Sequence, residues 1–389
     1  MTNSKKFDNN ISQCKFFVQR KKRFCRMTVK PGLDYCGEHT PDPEGNEVEV
    51  DKRVPCPFDP KHTCFKSKLK KHLSICNARV QVKPAYYQHN INAVSDVAPV
   101  RSALSTVPQD VLNAVIDKIN TLYRDVLSTK ISVRYDARIH PAVMEEFNVP
   151  GRTESSLRHL RQVSSILWIL EAEGLMNEEY CYVELGAGKG CLSYQVGQAS
   201  GGRVLAVERA ACRYKKDTRL CESKRDRLRE DLAHVALERV AIVNESAAIV
   251  GIAKHLCGDA TGETPAYHYG HFNLSIRCMT RAEVIPLTRG ILLATCCHHR
   301  CLPRSYELDI TEDELNIMFG IVSWATCGIR GNETPTKPHE RQEVGRRAKL
   351  LLDYGRVLYL RDVGFDASLV HYVDANVTLE NVCIVAKKH

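Results

Sequence analysis

Tyr182-Val-Glu-Leu-Gly-Ala-Gly-Lys-Gly-Cys-Leu192 decides how the rest of the chain is read. A short apolar run ends in Glu184, a tight turn through Gly186, Gly188 and Gly190 follows, and a helix is expected to open at Cys191. Strand, glycine loop and helix in that order bring the backbone close to a ligand, because glycine lacks a Cβ and tolerates left-handed φ. A dinucleotide fingerprint wants glycine three residues after Gly188, and that position is Cys191. The arrangement E-x-G-x-G-x-G suits an S-adenosylmethionine loop instead. Downstream, Val204-Leu-Ala-Val-Glu208 reads as the next strand and puts an acid 22 residues beyond Gly186, where it can accept from both ribose hydroxyls. A further strand-like run, Arg227 to Val235, carries Asp231 where such enzymes contact the adenine amine. Glu184, Gly186, Gly188, Gly190, Glu208 and Asp231 are the candidate cofactor residues.

Outward from this unit, apolar residues recur at three- and four-residue steps from Val111 to Leu127, after Pro108, and again from Leu157 to Leu170. Both read as amphipathic helices. Strand-like runs follow at Ile249–Ala253, Gly290–Ala294, Ala367–Tyr372 and Val382–Ala386, with helical segments at 312–319 and 345–360 between them. This is the alternation of a doubly wound, Rossmann-like α/β sheet, with the last two strands expected to close it as a hairpin. Ligands of such sheets sit beyond the carboxyl ends of the strands. Two loops start there, Lys254-His-Leu-Cys-Gly258 and Thr295-Cys-Cys-His-His-Arg-Cys301. If the acceptor is a ribose hydroxyl, its high pKa calls for a base or a cation beside it, and Lys254 or His255 can serve as either. A lysine acting as base needs its own pKa depressed. A third metal on the second loop is awkward, because adjacent ligands do not close a regular tetrahedron.

The amino-terminal fifth reads differently. Residues 1–82 hold 17 Lys and Arg against 9 Asp and Glu, nearly all of the chain's formal net charge of +9. Such a segment suits a polyanion, whose counterions are released on docking. Cys14, Cys25, Cys36 and His39 follow C-x10-C-x10-C-x2-H, with Phe16, Phe17, Phe24 and Tyr35 among them, and can close a tetrahedral zinc site around an aromatic miniature core. A second set, Cys56, His62, His72 and Cys76, places its last two ligands four apart on one helical face. Cys64 competes with His62 on spacing but is left spare by the symmetric Cys-His…His-Cys layout. Lys61, Lys66, Lys68, Lys70 and Lys71 make this second module cationic, which suits phosphate contact and not burial.

With 389 residues, 43% hydrophobic and 26% charged, the chain is neither disordered throughout nor collagen-like. Its longest apolar stretches, Ser164–Leu170 and Ala247–Ala253, fall short of the ~18 residues a membrane helix needs. No apolar signal core follows the polar start, so an intracellular protein is expected, and 17 cysteines there point to metal or structural roles rather than disulfides.

Taken together, these residues resemble the eukaryotic tRNA 2′-O-ribose methyltransferases that act on the fourth nucleotide of the acceptor stem. The resemblance runs close to full length. It is carried by both ligand sets, Gly32-Leu-Asp-Tyr-Cys36, Arg158-His-Leu-Arg-Gln162, Val183–Gly190, Lys254–Gly258, Cys296–Cys301, Ser323-Trp-Ala-Thr-Cys327 and Glu380-Asn-Val382. The second ligand set also resembles fingers of a minor-spliceosome protein and of gametocyte-specific factors. One departure stands out: Gly262–Phe272 is inserted beside the Lys254 loop, and Asn273 replaces a family aspartate. The organisation expected is two zinc modules at 10–42 and 53–80, a linker at 81–106, where no sustained period is seen, and a methyltransferase domain at 107–389 that opens with the helical bridge. The resemblance implies S-adenosylmethionine and two structural zinc ions as cofactors, and tRNA as partner. The rival readings are a non-catalytic zinc-finger RNA adaptor and a methyltransferase for protein or small molecules.

Overall fold

In the computed structural model the described residues are 13–19, 22–40, 51–79, 83–93, 103–254, 271–295, 310–325 and 336–388. The chain divides into two compact units, Met1–Val82 and Lys83–His389.

The first unit contains two hairpins. Strands β1 (Phe17–Val18) and β2 (Arg23–Phe24) pair antiparallel, as do β3 (Arg53–Cys56) and β4 (Asp59–Phe65), and α1 (Leu69–Ile75) follows the second pair. The core of the first hairpin is Cys14, Cys25 and Cys36, with Val18, Val29 and Tyr35 packed on them. The expected aromatic core is not formed: Phe16, Phe17 and Phe24 are exposed. The buried interior is made by the three cysteines, and of the four aromatics only Tyr35 packs on it.

The second unit runs α2 (Gln109–Leu122), β5 (Ser132–Val133), α3 (Pro141–Phe147), α4 (Glu154–Ala172), β6 (Tyr180–Leu185), α5 (Cys191–Ser200), β7 (Arg203–Val207), β8 (Arg225–Leu228), α6 (Ala241–Asn244) and β9 (Ala248–Lys254). It continues through α7 (His271–Thr280), β10 (Thr288–Ala294), α8 (Glu312–Ile321), α9 (Thr336–Asp362), β11 (Asp366–His371) and β12 (Val382–Lys387). The eight strands lie in the order β5-β11-β12-β10-β9-β6-β7-β8, parallel except for β12, which runs antiparallel to both neighbours. The chain therefore winds outward from β6 in both directions. The order reverses between β6 and β9, the switch point at which open α/β sheets bind ligands.

Strand alternation builds the layers. Cys181, Val183 and Leu185 face one core, shared with α2, α7, α8 and α9, whereas Tyr182 faces the other, shared with α3, α4 and α5. Caps set the helix starts: Thr311 and Glu314 form a capping box at α8, and Thr153 accepts from Ser156 N at α4. Among the described residues no helix is long and apolar enough to cross a membrane.

Three local expectations change. The helix after Pro108 is α-helical only to Leu122 and continues as a π turn over Tyr123–Leu127, with Ser128 N donating to Tyr123 O. The strand carrying Asp231 ends at Leu228, and Asp231 caps a 3-10 turn, accepting from Ala233 N. Residues 83–93, inside the expected linker, are part of the second unit and are tied to its body: Asn92 donates to Leu232 O and Val235 O at 2.6 and 2.8 Å, and Ala236 N donates to Tyr86 O. Tyr86 and Ala93 also pack on the core beside these bonds, but two apolar contacts in a short irregular segment make no period that can be read.

Candidate active site and zinc modules

The glycine loop is clamped from below. Gly186 N and Ala187 N both donate to Val207 O at the end of β7, at 2.9 and 3.0 Å. Gly186, Gly188 and Gly190 have φ of +75°, +50° and +69°. A Cβ on Gly190 would lie 2.4 Å from Asp217 Oδ1 and 2.6 Å from Arg227 Nη2, whereas one on Gly188 would meet nothing within 4 Å. Gly190 is therefore required by the protein's own packing, and Gly188 borders open space in which a ligand can approach the backbone. Arg227 pairs with buried Asp217 through two hydrogen bonds of 2.8 and 2.9 Å and donates to Gly188 O at 3.0 Å. Sequence reasoning gave Asp217 and Arg227 no role, because a pair formed between two separate elements leaves no local signal.

The three candidate carboxylates lie at or beyond the carboxyl ends of three adjacent strands. Glu184, buried near the end of β6, accepts from the amide of Ser193 at 2.8 Å and from its hydroxyl, tying strand to helix. Burial pushes its carboxyl up to about 7, against the Ser193 hydrogen bonds and Arg227, which pull it down. Glu208, just after β7, accepts from Gly188 N at 2.8 Å and Ala210 N at 2.7 Å. Asp231, after β8, lies 3.5 Å from Arg209 and caps its own turn. A carboxylate has about four acceptor sites, so these bonds leave Glu208 capacity for ribose hydroxyls.

Lys254 closes β9 on the same edge of the sheet. Its Nζ lies 2.5 Å from His159 Nδ1 and 2.8 Å from Gln162 Oε1, both on α4. Burial lowers its pKa to about 8, with Cys191 and Glu184 pulling the other way. His159 and Gln162 lie in the Arg158–Gln162 string, but helical periodicity alone gave them no role. His255, the remaining Lys254–Gly258 loop and Cys296–Cys301 lie outside the described residues.

Thr295, the residue after β10, is described and sits on a buried ionic network. Its hydroxyl donates to Asp353 at 2.8 Å and accepts from Lys349 at 2.8 Å; Arg356 donates to Asp353, and Lys349 reaches Glu380 at 3.2 Å. Buried charges persist when paired in this way, and here they anchor the start of the cysteine-rich loop.

In the first unit the structure gathers both expected ligand sets. The donor atoms of Cys14, Cys25, Cys36 and His39 lie within 4.8 Å of one another, as do those of Cys56, His62, His72 and Cys76. Zinc bonds of ~2.3 Å to sulfur and ~2.0 Å to nitrogen imply tetrahedral edges of roughly 3.8 Å for S···S, 3.5 Å for N···S and 3.3 Å for N···N. The first set has Cys25–Cys36 at 4.0 Å, Cys14–His39 at 3.5 Å and Cys36–His39 at 3.4 Å. The second has Cys56–Cys76 at 3.6 Å, Cys76–His62 at 3.4 Å and His62–His72 at 3.1 Å. Both sets fit a tetrahedral zinc ion. Although burial pushes the Cys14 thiol up, backbone hydrogen bonds at Cys36 and Phe16 and the His39 ring bring it to about 6, toward the thiolate that binds metal. Cys64 is buried opposite Val54 in the hairpin and stands outside the ligand set. The five lysines of the second module are exposed.

Comparison with known proteins agrees with this geometry. Residues 12–40 match the family described as CCCH zinc finger in TRM13 protein, and residues 53–77 match the U11-48K-like CHHC zinc finger. A mouse relative named tRNA:m(4)X modification enzyme TRM13 homolog is 32% identical, with 96% of this chain and 94% of the relative covered. The Saccharomyces cerevisiae enzyme of the TRM13 name is 24% identical, over 97% of this chain and 96% of its own length. Among solved structures, the match to the plantazolicin methyltransferase BpumL covers 72% of this chain and all of that one, with a TM-score of 0.32 and 8% identity. Residues 161–387 match the family described as Methyltransferase TRM13, and the chain belongs to that family, with two zinc modules ahead of its catalytic sheet.

Proposed function

We propose that the protein methylates tRNA, transferring a methyl group from S-adenosylmethionine to the 2′-hydroxyl of the ribose at the fourth position of the acceptor stem. The observation that carries this reading is Lys254: a half-buried amine at the carboxyl end of β9, depressed to about 8, with His159 Nδ1 and Gln162 Oε1 of α4 within hydrogen-bond reach. The relatives' name, tRNA:m(4)X modification enzyme, supports the substrate and position.

The residues present fit the cofactor. Gly188 offers backbone without a side chain, Glu208 can take ribose hydroxyls, and Asp231 lies one strand further out for the adenine end. S-adenosylmethionine supplies an electrophilic methyl group. Lys254 then accepts the hydroxyl proton at Nζ, and the resulting ammonium donates to His159 Nδ1 and Gln162 Oε1. Burial that lowers its pKa is what leaves a useful fraction of neutral amine near neutral pH. His255 stands beside Lys254 in sequence as the second candidate base. The second zinc module holds phosphate through Lys61, Lys66, Lys68, Lys70 and Lys71, and A-form RNA offers it shape and phosphates rather than base edges.

The test is methyl transfer from labelled S-adenosylmethionine to unmodified tRNA, followed by nuclease digestion and mapping of the modified nucleotide. Label on one acceptor-stem ribose is expected. Label on a base, or on protein, overturns the 2′-hydroxyl assignment; cofactor binding absent altogether favours the adaptor reading.

A further inference from the structure

The first zinc module turns its aromatic residues outward. Phe17 and Phe24 stand directly opposite each other across β1 and β2, their ring centroids 5.3 Å apart at 79°, and are 45% and 61% exposed. Val18 points the other way, into the cysteine cluster. Phe16 lies flat on the His39 ring, at 3.9 Å and 10°, and is itself still 42% exposed. Met27 is exposed as well. A module held by metal does not need these rings for its core, and leaving them in water costs free energy that burial would recover.

The surroundings say what would cover them. Lys22, Arg26 and Lys30 are exposed on the same short segment. The two acids among the described residues of this module are engaged, Asp34 with Lys15 at 2.7 Å and Glu38 with Arg53. An aromatic patch with a cationic border matches a polyanion that also presents flat π faces, which is an unpaired stretch of nucleic acid. Duplex RNA is excluded as the occupant of this patch, because its bases are stacked on one another and expose only their edges.

We propose that Phe17 and Phe24 stack unpaired bases of the single-stranded 3′ end of the tRNA acceptor arm, while Lys22, Arg26 and Lys30 follow its phosphates. This rests on the reading of tRNA as substrate. Unpaired bases continuous with the acceptor stem occur at its 3′ end, so this module would hold the terminus while the lysine-rich second module holds backbone. Stacking tolerates any base, and the contact would therefore serve many tRNAs.

The experiment measures affinity of the full-length, zinc-loaded protein for a tRNA transcript and for the same transcript trimmed of its unpaired 3′ nucleotides. The wild-type protein is expected to bind the trimmed RNA about tenfold more weakly, as loss of one or two stacked bases implies. Phe17→Ala and Phe24→Ala should each lose about tenfold on the intact transcript and almost nothing on the trimmed one, with Phe24→Tyr close to wild type. Equal wild-type affinity for the two RNAs overturns the proposal, whatever the variants do. So does an equal loss by the alanine variants on both RNAs, or unchanged RNA affinity together with loss of a protein partner. If the wild-type protein binds neither RNA and transfers no label, the functional reading itself has failed; if label transfer persists and trimming has no effect, only the stacking assignment has.

Discussion

Lys254 has two roles open to it chemically, and pH separates them. Acting as a base, it must be neutral, so with a pKa of about 8 the rate of methyl transfer should rise through pH 8 and level off above it. A cation steadying an alkoxide would make the rate fall over the same range. Lys254→Met should lower the rate by at least about 100-fold while leaving cofactor affinity within a few-fold, measured by single-turnover label transfer beside a binding titration. Glu184 invites a different test. Its folded-state pKa of about 7 lies above the ordinary 4.5, so the folded protein holds a proton there that the unfolded chain has released. That stabilisation is complete below pH 4.5 and is lost as pH rises toward 7. Glu184→Gln keeps an acceptor for Ser193 without a charge to bury. Its melting temperature relative to wild type should therefore rise between pH 5 and about 7.5, by up to about 3 kcal/mol in stability terms. A constant difference across that range would mean the carboxyl is not perturbed.

The strand-loop-helix unit from β6 to α5 assigns different reasons to neighbouring glycines. Gly190→Ala combines a left-handed backbone with a Cβ driven into the Asp217–Arg227 pair, and should cost about 3 kcal/mol of stability in a denaturant melt. Gly188→Ala meets only the backbone strain, about 1 kcal/mol, because nothing of the protein lies near its Cβ. If the cofactor approaches there, that variant should nevertheless lose most of its cofactor affinity in an equilibrium titration. Comparable losses of stability in the two variants would sink this division. The unit was legible because the glycines, the flanking apolar strand and the acid 22 residues on are all local signals. Its support by Arg227 was not, since a buried ion pair between residues on two different elements has no sequence period.

At the scale of the molecule, two units with separate cores should unfold separately. Zinc removal by a chelator should abolish the structure of the first unit, whose buried core is its ligand cysteines, and leave the melting transition of the second nearly unchanged. A calorimetric scan with and without chelator checks this. Deleting residues 1–80 should weaken tRNA binding and flatten its salt dependence, because the surplus of positive charge goes with them, while cofactor affinity stays within a few-fold. Equal tRNA affinity in the shortened protein would remove the zinc modules from substrate binding.

By itself the sequence determined the alternation of strands and helices, the glycine loop, the positions of Glu184, Glu208 and Lys254 at strand ends, and both zinc ligand sets. These are carried by short-range patterns: apolar periods, glycine where φ must be positive, and soft ligands at close spacing. Only the tertiary structure decided the rest. It brought His159 and Gln162 of α4 against Lys254, put Asp217 and Arg227 under the glycine loop, docked residues 83–93 through Asn92, and turned Phe17 and Phe24 of the first module to the surface. Each of these depends on which faces the folded chain brings together and how much volume remains between them. Contacts between residues far apart in sequence are set by packing, and local pattern does not encode them.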